Sequence, residues 1–160
     1  MLIKEICLFN PTSPTKYTEF INYIDTSSVI DGTLTNIQQL TENFPSRAKR
    51  VLQRNDILIS SVRPNLKHNF FVNCDFENLV GSTGFIQLRV SSKLVDPKYL
   101  YYFLTNDKTI KHYSSIAEGA QTTFPSFNKD VIENIQFPDI TYEAQHHIVN
   151  TISFLLLKSL

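Results

Sequence analysis

Glycine is scarce in this chain, four residues in 160, and nowhere do the glycines gather into a phosphate-cradling or S-adenosylmethionine-binding loop. The nearest approach, Gly81-Ser82-Thr83-Gly84, is too short for a P-loop and has no Gly-Lys-Thr ending. Cysteine occurs twice, and Cys7 and Cys74 lack the paired spacing of a zinc knuckle. Both read as buried or incidental thiols of a reducing compartment, with a disulfide between them as the alternative. Runs of ~18 apolar residues are missing. Lys4 and Glu5 interrupt the short apolar start, so neither a membrane span nor a signal peptide is expected, and the expected location is cytoplasmic. Net charge is also missing: 15 Lys and Arg balance 15 Asp and Glu, which argues against a protein that coats nucleic acid indiscriminately.

What is present fits one ordinary globular domain. A chain of 160 residues buries roughly two-thirds of its unfolded surface, and 42% hydrophobic with 19% charged residues is close to the usual soluble composition. The charge is unevenly spread. Residues 47–68 hold Arg47, Lys49, Arg50, Arg54, Arg63 and Lys67 against the single acid Asp56, a local balance of +5, whereas residues 1–46 and 118–160 each come to −3. Arginine suits bidentate contact with phosphates and with the O6/N7 edge of guanine, so this segment is a candidate DNA-reading surface. Basic patches also serve RNA or acidic proteins, or are simply a solvated strand and turn.

The first two-thirds of the chain read as short strands. Residues 20–25, 56–62, 70–72 and 85–90 are rich in β-branched and aromatic side chains, and the turns between them are marked by Asp31-Gly32, Arg63-Pro64-Asn65 and residues 81–84. The last of these either brings its backbone near a phosphate or makes a tight hairpin. From Asp96 the period becomes helical. Asp96-Pro97 is a cap followed by proline at the first helical position, and Tyr99, Leu100, Phe103 and Leu104 fall at helix spacing through Thr105. A second short helix is expected over residues 109–116, one helical turn over 128–133, and a returning strand over 135–137 that Pro138 breaks. Residues 118–126 are polar and almost uncharged, a surface loop whose amides and hydroxyls suit base edges or phosphates. The fold class expected is α+β, with a mixed sheet and short helices.

Thr141 is a plausible N-cap of a final helix, with Glu143 well placed against its dipole. Val149, Ile152 and Leu156 make a narrow stripe that Phe154, Leu155, Leu157 and Leu160 widen until the last turns are apolar nearly all round. That stripe packs on its own domain or meets a helix of a second chain.

A search for catalytic groups finds one rival. Asp96-Pro97-Lys98 has the acid-x-lysine ending that metal-dependent nucleases use, with Asp75 as the upstream acid, although capping already explains Asp before Pro. No Asn-Pro-Pro-aromatic methyltransferase motif occurs. His146 and His147 point to different faces of a helix, and His68 and His112 are isolated, so neither a metal site nor a catalytic residue is assigned.

Several stretches together carry a resemblance. They are residues 54–63 (RNDILISSVR), 81–89 (GSTGFIQLR), 96–104 (DPKYLYYFL), the Gly119-Ala120-Gln121 loop leading into Asn134-Ile135-Gln136-Phe137-Pro138, and Glu143-Ala144-Gln145 ahead of a helix with Ile148 and Val149. In their order and spacing, over nearly the whole chain, they resemble a target-recognition domain of a Type I restriction-modification specificity subunit. The resemblance implies a recognition domain over residues 1–140 and the start of a helical spacer over 141–160, shorter than the family's helices. It implies duplex DNA as ligand and modification (methyltransferase) subunits as partners. Those partners methylate adenine and bind the S-adenosylmethionine, while ATP and Mg²⁺ belong to motor-nuclease subunits, leaving no cofactor on this chain. A single recognition domain further implies a half-subunit that pairs with a copy of itself or another half. The candidate DNA contacts are then Arg47, Lys49, Arg50, Arg54, Arg63, Asn65, Lys67, His68, Ser82, Thr83, Gln121, Thr122 and Thr123, and the candidate partner-helix positions are Val149, Ile152 and Leu156. Two rivals stay open: a nuclease, and a truncated or silent half that binds protein partners without site-specific DNA binding.

Overall fold

The computed structural model describes residues 1–14, 16–120 and 123–160. A one-turn helix, α1 (Ile3–Ile6), leads into β1 (Cys7–Phe9). Strands β2 (Ile21–Ile24), β3 (Val29–Ile30), β4 (Thr33–Leu34), β5 (Gln38–Leu40), β6 (Ala48–Val51), β7 (Ile57–Ser60), β8 (Phe70–Phe71), β9 (Leu79–Ser82) and β10 (Phe85–Val90) follow. Helices α2 (Pro97–Thr105), α3 (Asp107–Gly119), α4 (Asp130–Glu133) and α5 (Tyr142–Lys158) close the chain. The α+β class is the one expected.

Two four-stranded sheets organise the strands. One runs β1-β10-β7-β8 and is antiparallel throughout; the other runs β5-β2-β9-β6 and is mixed, with β2 parallel to β9. Period-2 alternation explains how they stack. Ile57 and Ile59 of β7 and Ile86 and Leu88 of β10 face the helices, joining Leu100, Leu104, Tyr113 and Phe127, while Leu58 and Phe85 face the other sheet, joining Ile24, Val72 and Leu79. The antiparallel sheet is thus buried on both faces, which is why β7 reads as the uninterrupted run Ile-Leu-Ile.

The β3–β4 hairpin turns on Asp31 and Gly32, both at positive φ (46° and 83°), the type I′ geometry that Asp-Gly favours. Asp96 caps α2, its carboxylate accepting from the Lys98 and Tyr99 N–H groups at 2.9 and 3.2 Å, with Pro97 at the first helical position. Helix α3 is longer than the expected 109–116. Asn106 caps it earlier by accepting from Thr109 N–H at 3.0 Å, and it runs on through Gly119. Residues 135–137 do not form a strand; Gln136 makes one isolated bridge to Leu2. Gly81 and Ser82, expected in a turn, belong to β9, and residues 83–84 carry the chain from one sheet to the other instead of closing a hairpin. The same crossing occurs between β6 and β7. Cys7 and Cys74 are both free thiols.

Thr141 caps α5 as expected, accepting from Ala144 N–H at 3.2 Å. The helix is docked through Gln145, which is fully buried: its Oε1 accepts from Asp96 N–H at 2.8 Å and its Nε2 donates to the Leu94 and Ile140 carbonyls. Val149, a candidate for a partner helix, is buried against this chain, since it lies one turn beyond Gln145 on the same face. Ile152 and Leu156 line a groove of about 640 Å³ with Tyr101, Tyr102 and Thr33. Beyond it Phe154, Leu155, Leu157 and Leu160 are exposed. Among the described residues no helix is long and apolar enough to cross a membrane.

Candidate nucleic-acid interface

The five arginines separate by what each guanidinium meets. Arg89 of β10 grips the buried Asp56 with Nε on Oδ1 and Nη2 on Oδ2, both at 2.8 Å. That carboxylate also accepts from Gln53 N–H and from Gln87 Nε2, so the one acid of the basic segment is neutralised inside the protein. Arg54 pairs with Asp75 at 2.9 Å. Arg50, half-buried in β6, donates Nε to the Phe85 carbonyl at 3.2 Å, and its desolvation lowers its pKa. Arg47 and Arg63 are exposed and, among the described residues, have no carboxylate partner. Arg47 Nε lies 3.4 Å from the Thr83 hydroxyl, and the Arg63 guanidinium sits 5.3 Å from the centre of the Phe124 ring.

These two share one edge because the chain crosses between sheets there. Thr83 N–H donates to the Arg47 carbonyl at 2.8 Å; Ser61 donates its N–H and hydroxyl to the Gly84 carbonyl at 3.0 and 3.1 Å. Arg63 N–H then donates to the Pro125 carbonyl at 2.8 Å, and Val62 bridges Ser126. Three segments, around Arg47, Thr83 and Arg63, are therefore laced together with residues 124–126. Gly84 is closely approached: a Cβ there would stand 2.9 Å from Thr26 Cγ2 and 3.0 Å from Arg47 Nη2, so a neighbour would have to shift. Arg63 is left-handed at φ 46°, ψ 59°, which costs an L-residue about 1–2 kcal/mol, and Lys67 at the other end of the same 3-10 turn is left-handed as well.

The other candidates lie elsewhere. Arg54 sits in the turn at the opposite end of β6 and β7, roughly 13 Å away along a four-residue strand, so residues 47–68 are not one patch. Lys49 reaches the Pro14 carbonyl, and His68 turns inward, donating Nδ1–H to the Val29 carbonyl at 2.6 Å. Ser82 is buried, its hydroxyl accepting from Gly84 N–H, and is out of reach of any ligand. Asn65 and Lys67 flank the edge beside α3, where Asp107 pairs with Lys67 at 3.0 Å and raises its pKa. Thr123 is exposed next to Phe124. Gln121 and Thr122 lie outside the described residues. Phe124 was missed by sequence reasoning; an exposed aromatic beside proline in a polar loop was the available signal.

Among the described residues the nuclease reading finds no metal site. Asp96 spends Oδ1 on the α2 cap and Oδ2 on His146 Nδ1 at 3.1 Å, while Asp75 is paired with Arg54. Among the described residues no three His, Cys, Asp or Glu side chains could hold a metal ion together.

Comparison with known proteins decides the family. Residues 1–157 match the model of the Type I restriction modification DNA specificity domain. The chain belongs to that family. Type I specificity domains are the non-catalytic, DNA-specifying components of their systems. The Type I restriction enzyme HindI specificity subunit of Haemophilus influenzae is 27% identical over 132 residues, 82% of this chain and 29% of that protein. The crystal structure of the HsdS subunit from Thermoanaerobacter tengcongensis superposes over 99% of this chain and 42% of its own, at 25% identity and a TM-score of 0.84. The Type I system S subunit from M. genitalium shares the fold at 17% identity, a TM-score of 0.60, and coverage of 99% of this chain and 38% of its own. The specificity domain described here thus spans less than half the length of each of these relatives.

Proposed function

We propose that this domain reads one half of a split DNA target for a Type I restriction-modification complex, while partner subunits carry out methylation and cleavage. The observation that carries the reading is the edge on which Arg47 and Arg63, exposed and without carboxylate partners among the described residues, flank the Thr83-Gly84 crossing. Such an edge offers two forked cations, a hydroxyl and backbone held in fixed register, the equipment for phosphate and base-edge contact in duplex DNA. Modification subunits are the protein partners, and S-adenosylmethionine, ATP and Mg²⁺ are carried by partner subunits in the cytoplasm. The exposed apolar end of α5 supports a further partnership, with a helix of another specificity domain or of a second copy.

The alternative, a silent component that binds protein partners without site-specific DNA binding, draws on that helix end alone. One experiment separates the two. The chain is combined with its modification subunits, and methylated adenines are mapped across a genome. The recognition reading expects methylation at one sequence pattern. Methylation without sequence preference, or failure to form a complex, overturns it.

A further inference from the structure

We propose that Phe124 is a DNA wedge: its ring seats against a base-pair step, and the Arg63 guanidinium beside it meets the acceptors next to that step. The inference rests on reading the domain as a DNA reader and goes beyond it by naming the residue and the kind of contact.

Phe124 is 62% exposed, at the lip of the edge where Arg47 and Arg63 emerge. Exposed aromatics are common enough singly, so position carries the argument. The residue after it, Pro125, anchors Arg63 through its carbonyl, and Ser126 bridges Val62, so ring and guanidinium are set by one short backbone ladder. Arg63 holds a left-handed backbone within that ladder, and its guanidinium lies 5.3 Å from the centre of the ring. A guanidinium 5.3 Å from a ring centre is within cation–π range, and its forked N–H groups suit phosphate or groove acceptors. An apolar plate with a forked cation at its margin matches DNA on both counts. Stacked bases take the ring, and phosphate or groove acceptors take the cation. A protein surface would cover the ring equally well, but Arg47 and Arg63 together favour a polyanion.

Duplexes of ~30 base pairs, enriched from a randomised pool by the wild-type full chain, serve as the probe. Phe124→Ala is expected to weaken binding roughly tenfold or more with little change in salt slope, because stacking releases no counterions. Phe124→Leu, still an apolar wedge, keeps most of the affinity. Arg63→Ala instead lowers the salt slope by about one. 2-Aminopurine scanned through the enriched duplex brightens at one step with wild type and Phe124→Leu and stays dark with Phe124→Ala. If Phe124→Ala binds and brightens like wild type, the wedge is overturned while the recognition reading stands. Loss of modification-subunit binding with DNA binding intact makes the ring a protein contact and overturns the wedge as well. If the wild-type chain enriches no sequence, the recognition reading falls and takes the wedge with it.

Discussion

Arg89 closes a two-point fork on Asp56, joining the start of one strand to the far end of its neighbour across a sheet interior where Asp56 is wholly buried. Gln87 and the Gln53 N–H complete the carboxylate's shell, and Arg89 and Gln87 also reach the Val51 carbonyl at the end of β6, tying the two sheets together.

Removing one side of that pair leaves a charge in the core. Arg89→Met is expected to destabilise the domain by about 3–5 kcal/mol, read from urea unfolding midpoints, whereas Arg89→Met with Asp56→Leu recovers only part of the loss, because the Gln53 N–H and a Gln87 N–H then lack their acceptor. A single variant that unfolds at the wild-type midpoint would mean water already reaches the carboxylate.

The arginines of residues 47–68 are expected to behave as two groups. Arg47→Ala and Arg63→Ala each lower the slope of log affinity against log salt by about one, while Arg54→Ala, at the opposite end and paired with Asp75, leaves it nearly unchanged. DNA titrations at several salt concentrations distinguish the three. An Arg54 effect as large as that of Arg63 would move the interface to the other end of the sheets.

Local signals made the capped start of α2, the Asp-Gly hairpin and the β-branched strands legible, because each is decided by residues within a few positions of one another. The interface was only half legible. Arg47, Thr83 and Arg63 all stood among the candidates, but their meeting at one edge depends on two crossings between sheets that no local pattern reports. Ser82 looked like a turn hydroxyl and is a buried strand residue; Arg54 looked like a neighbour of Arg63 and pairs instead with Asp75, 21 positions away. Burial and pairing are non-local, and that is where the reading from sequence stopped.

Gly84→Ala tests the crossing directly. The added methyl meets Thr26 Cγ2 and Arg47 Nη2, so a loss of about 1–3 kcal/mol is expected, and Thr26→Ala in the same chain returns part of it by removing the closest atom. Thermal melts of the three variants give the ordering. An unchanged melting temperature for Gly84→Ala would show that Arg47 simply swings aside.

Burial pushes the Cys7 thiol up to about 12 from an ordinary 9.0. A folded-state pKa raised in this way means the unfolded chain loses its proton first. The contribution to stability is complete below pH 9 and drains away as pH climbs from 9 towards 12, at up to about 1.4 kcal/mol per unit. Between pH 9 and 10 the unfolding free energy of wild type should fall more steeply than that of Cys7→Ala; parallel curves would contradict the assignment. Iodoacetamide at pH 8 should also modify half-buried Cys74 well before Cys7.

One helix, α5, serves two purposes along its length, and substitutions should divide accordingly. Gln145 satisfies the Asp96 N–H and the Leu94 and Ile140 carbonyls inside the domain, so Gln145→Leu strands three polar groups and is expected to cost about 2–4 kcal/mol of folding stability. Leu155 and Leu157 stand in solvent three turns further on, and turning both to Glu removes exposed apolar area without touching the core. That variant should melt within a few degrees of wild type yet lose association with a partner helix, measured by sedimentation of the chain alone and with its modification subunits. Loss of stability in the double Glu variant would place the helix end against the chain's own domain, and unaltered association would remove it from the assembly surface.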